Sequence, residues 1–425
     1  MAQWIEKLRR RFLIQDFTPL PADPKAIEAA YLGIDPTADS LHVGHLVPLQ
    51  LLSHIGTYGI HPIIVIGGAT ARIGDPSGRN VERPLLPEET IQENKKKLAQ
   101  QVQKIIPFAF TLLDNSEWLG QLSLIDFLRD IGKHITISYL LNKETIQSRL
   151  ESGLSFTEFS YTLLQAYDFY YLLSHRNCRL QIGGADQWGN ITTGIELIRK
   201  RLGIEAYGMT CPLLTRADGV KFGKTAEGET IWLDAQKTSP YRFYQFWLNQ
   251  ADAEMRRLMG IFSWKSEEEV EEVLQAHEQA PEQRLAQRTL AYEMTARIHG
   301  EEIARTVQQV SEIVFDKGDL KLLEEISESL FQTVVSEMPH YKLNDSRPDL
   351  PIGEALVQVG FLRSKSELRQ LIRQGGLSVN RHKLQEENLP LYRISPLRGR
   401  FWLVQRGKKY LAWLEAASVL SETSP

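Results

Sequence analysis

The feature that most constrains this chain's fold is an alternation of short apolar runs with helical patterns between residues 29 and 235. Most apolar runs are bounded by Gly, Pro or Asp, as strands are, and the segments between them repeat apolar residues at helical spacing. Strands that alternate with helices form parallel βαβ units, so we predict a doubly wound α/β sheet that binds ligands at the carboxyl ends of its strands. The predicted strands are 31–34, 63–66, 108–113, 179–182 and 209–214, and the predicted helices are 46–58, 88–106 and 191–201.

The sequence changes character after this region. Between residues 240 and 330, runs rich in Glu, Gln, Ala and Leu lack β-branched patches and indicate a helical domain. A polar stretch at 338–351 resembles a linker because it has little apolar surface to bury. We therefore predict four parts, which are an α/β domain at 1–235, a helical domain at 236–335, a linker at 336–350 and a small α+β domain at 351–425.

The last 75 residues also differ in charge. Residues 351–425 carry 12 Lys and Arg against 6 Asp and Glu, whereas the whole chain has a net charge of −4. Ser364 and Glu367 form a capping box for a predicted helix at 365–374, on which basic side chains recur at four-residue spacing. Strands are predicted at 377–379, 401–404 and 410–414. A basic module on an acidic body indicates contact with nucleic acid.

Two further observations bound the class of protein. Cys178 and Cys211 are isolated thiols, which gives neither a disulfide framework nor a metal-ligand spacing and favours a reducing compartment. No apolar stretch approaches the ~18 residues that a membrane-spanning helix requires. We predict a cytoplasmic protein without a dedicated metal site.

Two motifs have the chemistry of phosphate binding. The run His42-Val43-Gly44-His45 follows the first predicted strand at a predicted helix start, where free N–H groups and two imidazoles can donate to phosphate oxygens. Much later, Lys221-Phe222-Gly223-Lys224-Thr225 lies in a Gly-containing loop whose lysines can neutralise a triphosphate. Each motif alone also fits an ordinary helix cap or a solvated loop.

Together the two motifs resemble the signature sequences of class I aminoacyl-tRNA synthetases. Longer blocks resemble the bacterial-type enzymes for tyrosine, and the similarity runs through nearly the whole chain. These blocks are residues 31–41, 67–70, 73–77, 156–161, 164–168, 181–190 and 222–225. The resemblance implies a Rossmann-like catalytic domain that activates tyrosine with ATP, accompanied by Mg²⁺, and then transfers tyrosyl to the 3′-terminal adenosine of the matching tRNA.

The resemblance also implies roles for individual residues. Tyr31 and Asp168 are expected to bind the phenolic hydroxyl, and tyrosine-specific enzymes are themselves the known example of how such a site rejects phenylalanine. Asp75, Tyr161 and Gln165 are expected to hold the ammonium group, and Gln187 the carboxyl region. The expected phosphate-binding residues are His42, His45, Lys221, Lys224 and Thr225, and the expected nucleotide contacts are Gly33, Asp35, Thr37, Gly44, Gly183 and Asp186.

Two basic regions complete the expected RNA contacts. The C-terminal module resembles a small RNA-binding domain of a ribosomal protein, with Arg363, Lys365, Arg369, Arg373 and Arg381 as predicted backbone contacts. Arg79 and Arg83 resemble a basic loop for pyrophosphate or the tRNA end, although a solvated face fits them as well. The family further implies a homodimer, with residues 127–134 near the contact.

Three alternatives remain open from the sequence. One is a tryptophan-specific relative, against which Tyr31 and Asp168 argue because an indole cannot use a carboxylate at the phenol position. A second is a nucleotidyltransferase with a different acceptor. The third is a catalytically silent RNA-binding paralogue, against which the presence of His42, His45, Lys221 and Lys224 argues.

Overall fold

A computed structural model describes most of the chain, namely residues 2–78, 84–150, 153–215, 222–224, 228–315, 319–344, 347, 349–407 and 410–417. The chain divides into two compact units. The first contains residues 1–238 and 246–301, and the second contains residues 239–245 and 302–425. The domain boundaries predicted at residues 235, 335 and 350 stay predictions, because they concern which segments fold independently.

A five-stranded parallel sheet lies at the centre of the first unit, with the order β3-β2-β1-β4-β5. After β1, the chain adds β2 and then β3 on one side of it. The chain then crosses back and adds β4 and β5 on the other side of β1, so the topological switch point lies between β1 and β4. This confirms the predicted Rossmann-like α/β class. The strands are β1 Ala29–Ile34, β2 His61–Ile66, β3 Thr111–Asp114, β4 Cys178–Gly184 and β5 Tyr207–Cys211.

Helices pack against this sheet, so strand residues can be buried on both of its sides. In β2 every residue after His61 is buried. The helices up to β5 are α1 Gln3–Arg10, α2 Val43–Gly56, α3 Glu88–Ile105, α4 Ser116–Leu119, α5 Leu124–Asp130, α6 Ile137–Leu141, α7 Glu144–Leu150, α8 Phe156–Arg176 and α9 Trp188–Leu202. The helices that follow β5 are α10 Pro240–Leu248, α11 Asp252–Phe262, α12 Glu267–Gln279 and α13 Leu285–His299.

All five strands predicted for this sheet have somewhat different bounds in the structure, and two of them run past the observed strand at one end. The strand predicted at 108–113 is limited to Thr111–Asp114, because the apolar Phe108 packs beside Gly56 at the end of α2 instead of entering the sheet. The strand predicted at 209–214 is Tyr207–Cys211, because Pro212 has no N–H to donate to a neighbouring strand. The helix predicted from residue 46 begins at Val43.

The second unit contains a sheet with the order β6-β10-β9-β7-β8. Its strands are β6 His340–Lys342, β7 Leu377–Val379, β8 His382–Lys383, β9 Phe401–Arg406 and β10 Tyr410–Glu415. Its helices are α14 Glu301–Phe315, α15 Leu322–Glu325, α16 Glu328–Ser336, α17 Ile352–Gln358 and α18 Lys365–Arg373. A buried cluster that includes Ile352, Trp402 and Leu414 forms its core.

The stretch at 338–351 is more structured than the linker that we predicted. It contributes β6, which pairs in parallel with β10, and it buries Leu343 and Leu350 in the core of the small sheet. The linker was predicted from the polar composition of this stretch, and composition does not reveal a short edge strand, because such a strand buries only a few side chains.

Candidate active site

A cavity of about 470 Å³ opens in the first unit at the carboxyl ends of β1 and β4. This is the topological switch point of the sheet, where open α/β sheets bind ligands. Every predicted pocket residue that the structure describes lines this cavity. These residues are Tyr31, Gly33, Asp35, Thr37, His42, Gly44, His45, Asp75, Tyr161, Gln165, Asp168, Gly183, Asp186, Gln187 and Lys224. Lys221 and Thr225, like Arg79 and Arg83, lie outside the described residues.

A buried phenol and a buried carboxyl group both line the cavity. Tyr31 is 1% exposed, and its hydroxyl has no hydrogen-bond partner among the described residues. Burial and the nearby Asp168 raise the pKa of Tyr31 well above its usual value, so it stays protonated. A buried hydroxyl without a partner is costly, which indicates that a polar ligand group completes the site.

Asp168 is also buried, at 4% exposure, and both of its carboxyl oxygens already accept hydrogen bonds. Asn115 Nδ2 donates to Oδ2 at 3.0 Å, and Trp118 Nε1 donates to Oδ1 at 2.7 Å. Burial raises the pKa of Asp168 to about 7, although the two donors favour the ionised form. Two fixed donors orient the carboxyl group and leave its remaining lone pairs for one further donor.

A second chain of hydrogen bonds runs from Tyr161, which lines the cavity, to the side-chain amide of Asn115. Tyr161 Oη donates to Asp35 Oδ2 at 2.9 Å, and Thr70 Oγ1 donates to Asp35 Oδ1 at 2.7 Å. Asn115 donates in turn to Thr70 Oγ1 at 2.9 Å. A Cβ on Gly67 would lie 1.9 Å from Asp35 Oδ1, so only glycine allows the backbone to pass this close.

A third group of polar side chains surrounds Asp75. Gln187 Nε2 donates to Asp75 Oδ2 at 2.7 Å, and the backbone N–H of Ser77 donates to Oδ1 at 2.9 Å. Asn190 Nδ2 lies 3.1 Å from both Gln165 Oε1 and Gln187 Oε1. These contacts collect carboxylate and amide oxygens at one place in the cavity, and such acceptors suit an ammonium group.

The two histidines of the HxGH motif cap α2. The N–H of Gly44 donates to His42 Nδ1 at 3.1 Å, and the N–H of His42 donates to His45 Nδ1 at 3.1 Å. Because each Nδ1 accepts a hydrogen bond, the proton of each neutral ring is on Nε2. The cap therefore fixes the tautomer that can donate to an anion, so capping and anion binding are compatible in this motif.

Backbone hydrogen bonds connect this cap to the glycine-containing loop. The N–H of Ile231 donates to the Gly223 carbonyl at 2.8 Å, and the N–H of Val43 donates to the Ile231 carbonyl at 3.0 Å. Lys224 forms an isolated bridge with Thr230 and lines the cavity. The described part of the loop is therefore held beside the start of α2.

In the second unit, four of the five predicted RNA contacts are exposed on or next to α18. They are Arg363, Lys365, Arg369 and Arg373, and Arg369 also forms an ion pair with Glu387 at 2.8 Å. Arg381 differs, because it is only partly exposed and its guanidinium donates to the backbone carbonyl of Ile313.

Comparisons with known proteins agree with this geometry. A family model described as tRNA synthetases class I (W and Y) matches residues 25–316, and one described as tyrosine–tRNA ligase SYY-like C-terminal domain matches residues 330–413. The tyrosine–tRNA ligase of Amoebophilus asiaticus is 44% identical over 96% of this chain and 98% of its own. The chain belongs to the tyrosine–tRNA ligase family. This confirms the resemblance inferred from the sequence.

Other members of the tyrosine–tRNA ligase family give the same result. The enzyme of Parabacteroides distasonis is 44% identical over 96% of this chain and 98% of its own. The crystal structure of a C-terminally truncated mitochondrial tyrosyl-tRNA synthetase from Aspergillus nidulans is 30% identical, with a TM-score of 0.66, over 73% of this chain and 94% of that one.

Sequence reasoning missed two residues that support the cavity in this member of the tyrosine–tRNA ligase family. Asn115 and Trp118 hold Asp168, and neither was singled out. A signal was available, because Asn115 directly follows a parallel strand, at the edge where ligands bind. Because the strand was predicted to end at residue 113, one residue too early, Asn115 was not recognised as the residue that follows it.

None of the described helices is long and apolar enough to cross a membrane. Within the described residues, no group of three or more His, Cys, Asp and Glu side chains could hold a metal ion.

Proposed function

We propose that this chain activates tyrosine with ATP to form tyrosyl-adenylate and then transfers the tyrosyl group to the 3′-terminal adenosine of tRNA(Tyr). The observation that carries this proposal is the buried Tyr31 hydroxyl, which has no partner among the described residues and lies in the same cavity as Asp168. A substrate phenol can accept from Tyr31 and donate to the carboxylate, which satisfies both groups.

The remaining substrate contacts follow from the polar groups of the cavity. Asp75, Tyr161 and Gln165 receive the ammonium group of tyrosine, and Gln187 lies near its carboxylate. Phenylalanine would leave the Tyr31 hydroxyl and the Asp168 carboxylate buried without their ligand partner. This mismatch is the physical basis of the proposed specificity.

The nucleotide is proposed to bind across the switch point. A Cβ on Gly33 would meet no atom within 4 Å, which leaves space above β1. The proposed nucleotide contacts are Gly33, Asp35, Thr37, Gly44, Gly183 and Asp186. The phosphates are bound by the Nε2–H groups of His42 and His45, by Lys224 and, as expected from the sequence, by Lys221 and Thr225.

The tyrosine carboxylate attacks the α-phosphorus of ATP in line, and pyrophosphate leaves. This reaction needs no covalent nucleophile from the protein, because positioning and charge stabilisation supply most of the rate. Mg²⁺ accompanies ATP as part of the substrate, since it binds through phosphates and few protein carboxylates. The ribose hydroxyl of the tRNA end then attacks the adenylate carbonyl, an ester forms as the bond to the phosphate breaks, and AMP and the hydroxyl proton are released.

The exposed basic side chains of the second unit are proposed to contact the tRNA backbone. Arg363, Lys365, Arg369 and Arg373 supply charge without base recognition, so binding should weaken as salt rises. The protein is further proposed to act as a cytoplasmic homodimer. Two buried free thiols, Cys178 and Cys211, suit a reducing compartment. Exposed apolar side chains on α5, α6 and α8 support a dimer contact.

The decisive experiment is amino-acid-dependent pyrophosphate exchange with all twenty amino acids, for the natural protein and for Tyr31→Phe. Tyrosine should support exchange, and the substitution should lower the preference for tyrosine over phenylalanine by about tenfold, because it removes one buried hydrogen bond. Tyr241→Phe is the matched control. Tyr241 is a second buried phenol whose hydroxyl lacks a partner among the described residues, and it does not line the cavity.

The alternatives give different outcomes. Exchange that depends on tryptophan would identify a tryptophan enzyme, and binding of tRNA without exchange or charging would identify a silent paralogue. If Tyr31→Phe changed the preference no more than Tyr241→Phe does, the assignment of the phenol pocket would be wrong.

A further inference from the structure

Two arginines of the C-terminal module have a backbone conformation that long side chains seldom adopt. Arg381 has a φ of 67° and Arg398 a φ of 50°. Each shares its turn with a second residue of positive φ, which is Asn380 at 44° and Gly399 at 68°. Conformations of this kind persist where the surrounding structure holds them, and they often mark a functional position.

The first of these turns joins β7 to β8 through Asn380 and Arg381 alone. Two-residue hairpins with positive φ at both positions favour glycine at the second position. Asn380 stabilises the turn by donating to the Ser395 carbonyl at 2.9 Å and accepting from the Leu403 N–H at 2.8 Å. The geometry of the turn therefore does not explain why arginine occupies its second position.

The side chains of both arginines reach the carboxyl ends of helices. Arg381 donates to the carbonyl of Ile313, in the last turn of α14. Arg398 Nε donates to the Leu323 carbonyl at 2.9 Å, and its Nη2 donates to the carbonyls of Glu324, at 3.2 Å, and Ile326. These three carbonyls lie at the end of α15.

Further contacts fix Arg398. Its Nη1 forms an ion pair with Glu328 at 2.7 Å, and its guanidinium lies 4.8 Å from the centre of the Phe331 ring. Phe331 in turn packs against Phe401 and Trp413 of the small sheet, with ring centres 5.0 Å and 5.6 Å away. The arginine side chain is only 16% exposed.

Helix chemistry explains the choice of arginine. The last carbonyls of a helix have no partner within it and carry a partial negative charge. A guanidinium offers five N–H donors in a planar fork together with a permanent positive charge, so it can satisfy several such carbonyls at once. Lysine could not reproduce this pattern at Arg398.

We propose that Arg381 and Arg398 are positioning residues that latch the small sheet to α14, α15 and α16, and thereby present the basic face of α18 to RNA in one orientation. The part of this inference that concerns RNA rests on the proposed function. The latch gives Arg381 an intramolecular role in place of the phosphate contact predicted from its charge.

Hydrogen–deuterium exchange of the full chain without RNA tests the latch. Arg398→Met should speed amide exchange in 319–336 and 377–406 by about tenfold, because it loses charged hydrogen bonds to the end of α15. Arg381→Met should speed exchange by about tenfold in 301–315 and 377–406, because its contact is the Ile313 carbonyl of α14. Tyrosine-dependent pyrophosphate exchange should be unchanged, and the KM for tRNA in charging should rise about tenfold. Arg398→Lys should give an intermediate result, because a single ammonium replaces a fork.

Arg373→Met is the contrasting variant, because Arg373 is exposed on the proposed RNA face. It should raise the KM for tRNA and leave amide exchange unaltered. A rise in the KM for tRNA without faster amide exchange in Arg398→Met would make Arg398 a direct RNA contact and overturn the latch. The latch would also be overturned if Arg398→Met changed neither the KM for tRNA nor the rate of amide exchange. If the natural protein charged no tRNA, the proposed function would fail while the amide-exchange result still decided the latch.

Discussion

At the scale of single residues, Asp168 shows how burial changes the titration of a carboxyl group that lines the cavity. Burial raises its pKa to about 7. The ionised form is the better acceptor for a substrate phenol, so protonation at lower pH weakens the contact. Because this folded-state pKa lies above the ordinary carboxyl value, burying the ionised group also lowers stability progressively as the pH rises from about 4 to about 7.

We therefore predict that the preference for tyrosine over phenylalanine falls as the pH is lowered below 7, by up to about tenfold per pH unit. The measurement is the ratio of kcat/KM values for the two amino acids in pyrophosphate exchange between pH 5.5 and 8.5. The ratio cancels titration of the histidines and of ATP. A preference independent of pH would show that Asp168 does not titrate in this range.

At the scale of elements, the start of α2 combines a helix cap with the proposed phosphate site. His42 Nδ1 accepts from the Gly44 N–H, and asparagine can provide the same cap without an Nε2–H donor. The two functions of this residue can thus be separated by a pair of substitutions.

His42→Ala should lower the free energy of unfolding by about 1 kcal/mol, and His42→Asn should leave it nearly unchanged. Both should slow tyrosyl-adenylate formation by about 100-fold, because each removes a donor that acts on the transition state. Urea denaturation and single-turnover kinetics measure the two effects. Full activity in His42→Asn would assign His42 to the cap alone.

At the scale of the whole molecule, large apolar side chains remain exposed on α5, α6 and α8 of the first unit. Leu124 and Ile125 on α5 are each 69% exposed, Ile137 on α6 is 67% exposed, and Phe156 at the start of α8 is 76% exposed. Ile131, in the segment predicted to lie near a dimer contact, is buried in a core cluster instead. Exposed apolar groups of this size mark interaction surfaces.

Ile125→Glu should weaken the proposed dimer by at least about tenfold, since a carboxylate at an apolar contact loses its hydration. Sedimentation equilibrium across a concentration series measures the change. Leu85→Glu is the matched control, because Leu85 is 75% exposed and lies elsewhere in the chain. An equal effect of both substitutions, or of neither, would contradict a contact at α5.

The sequence by itself determined the parallel sheet, the position of HxGH at a helix start and the pocket residues carried by the family blocks. These features are encoded locally, in apolar spacing and in motifs whose members are near neighbours. The tertiary structure decided which groups support them. Asp168 meets Trp118 and Asn115 across 50 and 53 residues, and Arg398 meets Leu323 across 75. Such contacts depend on how helices and turns pack, and no local pattern records that packing.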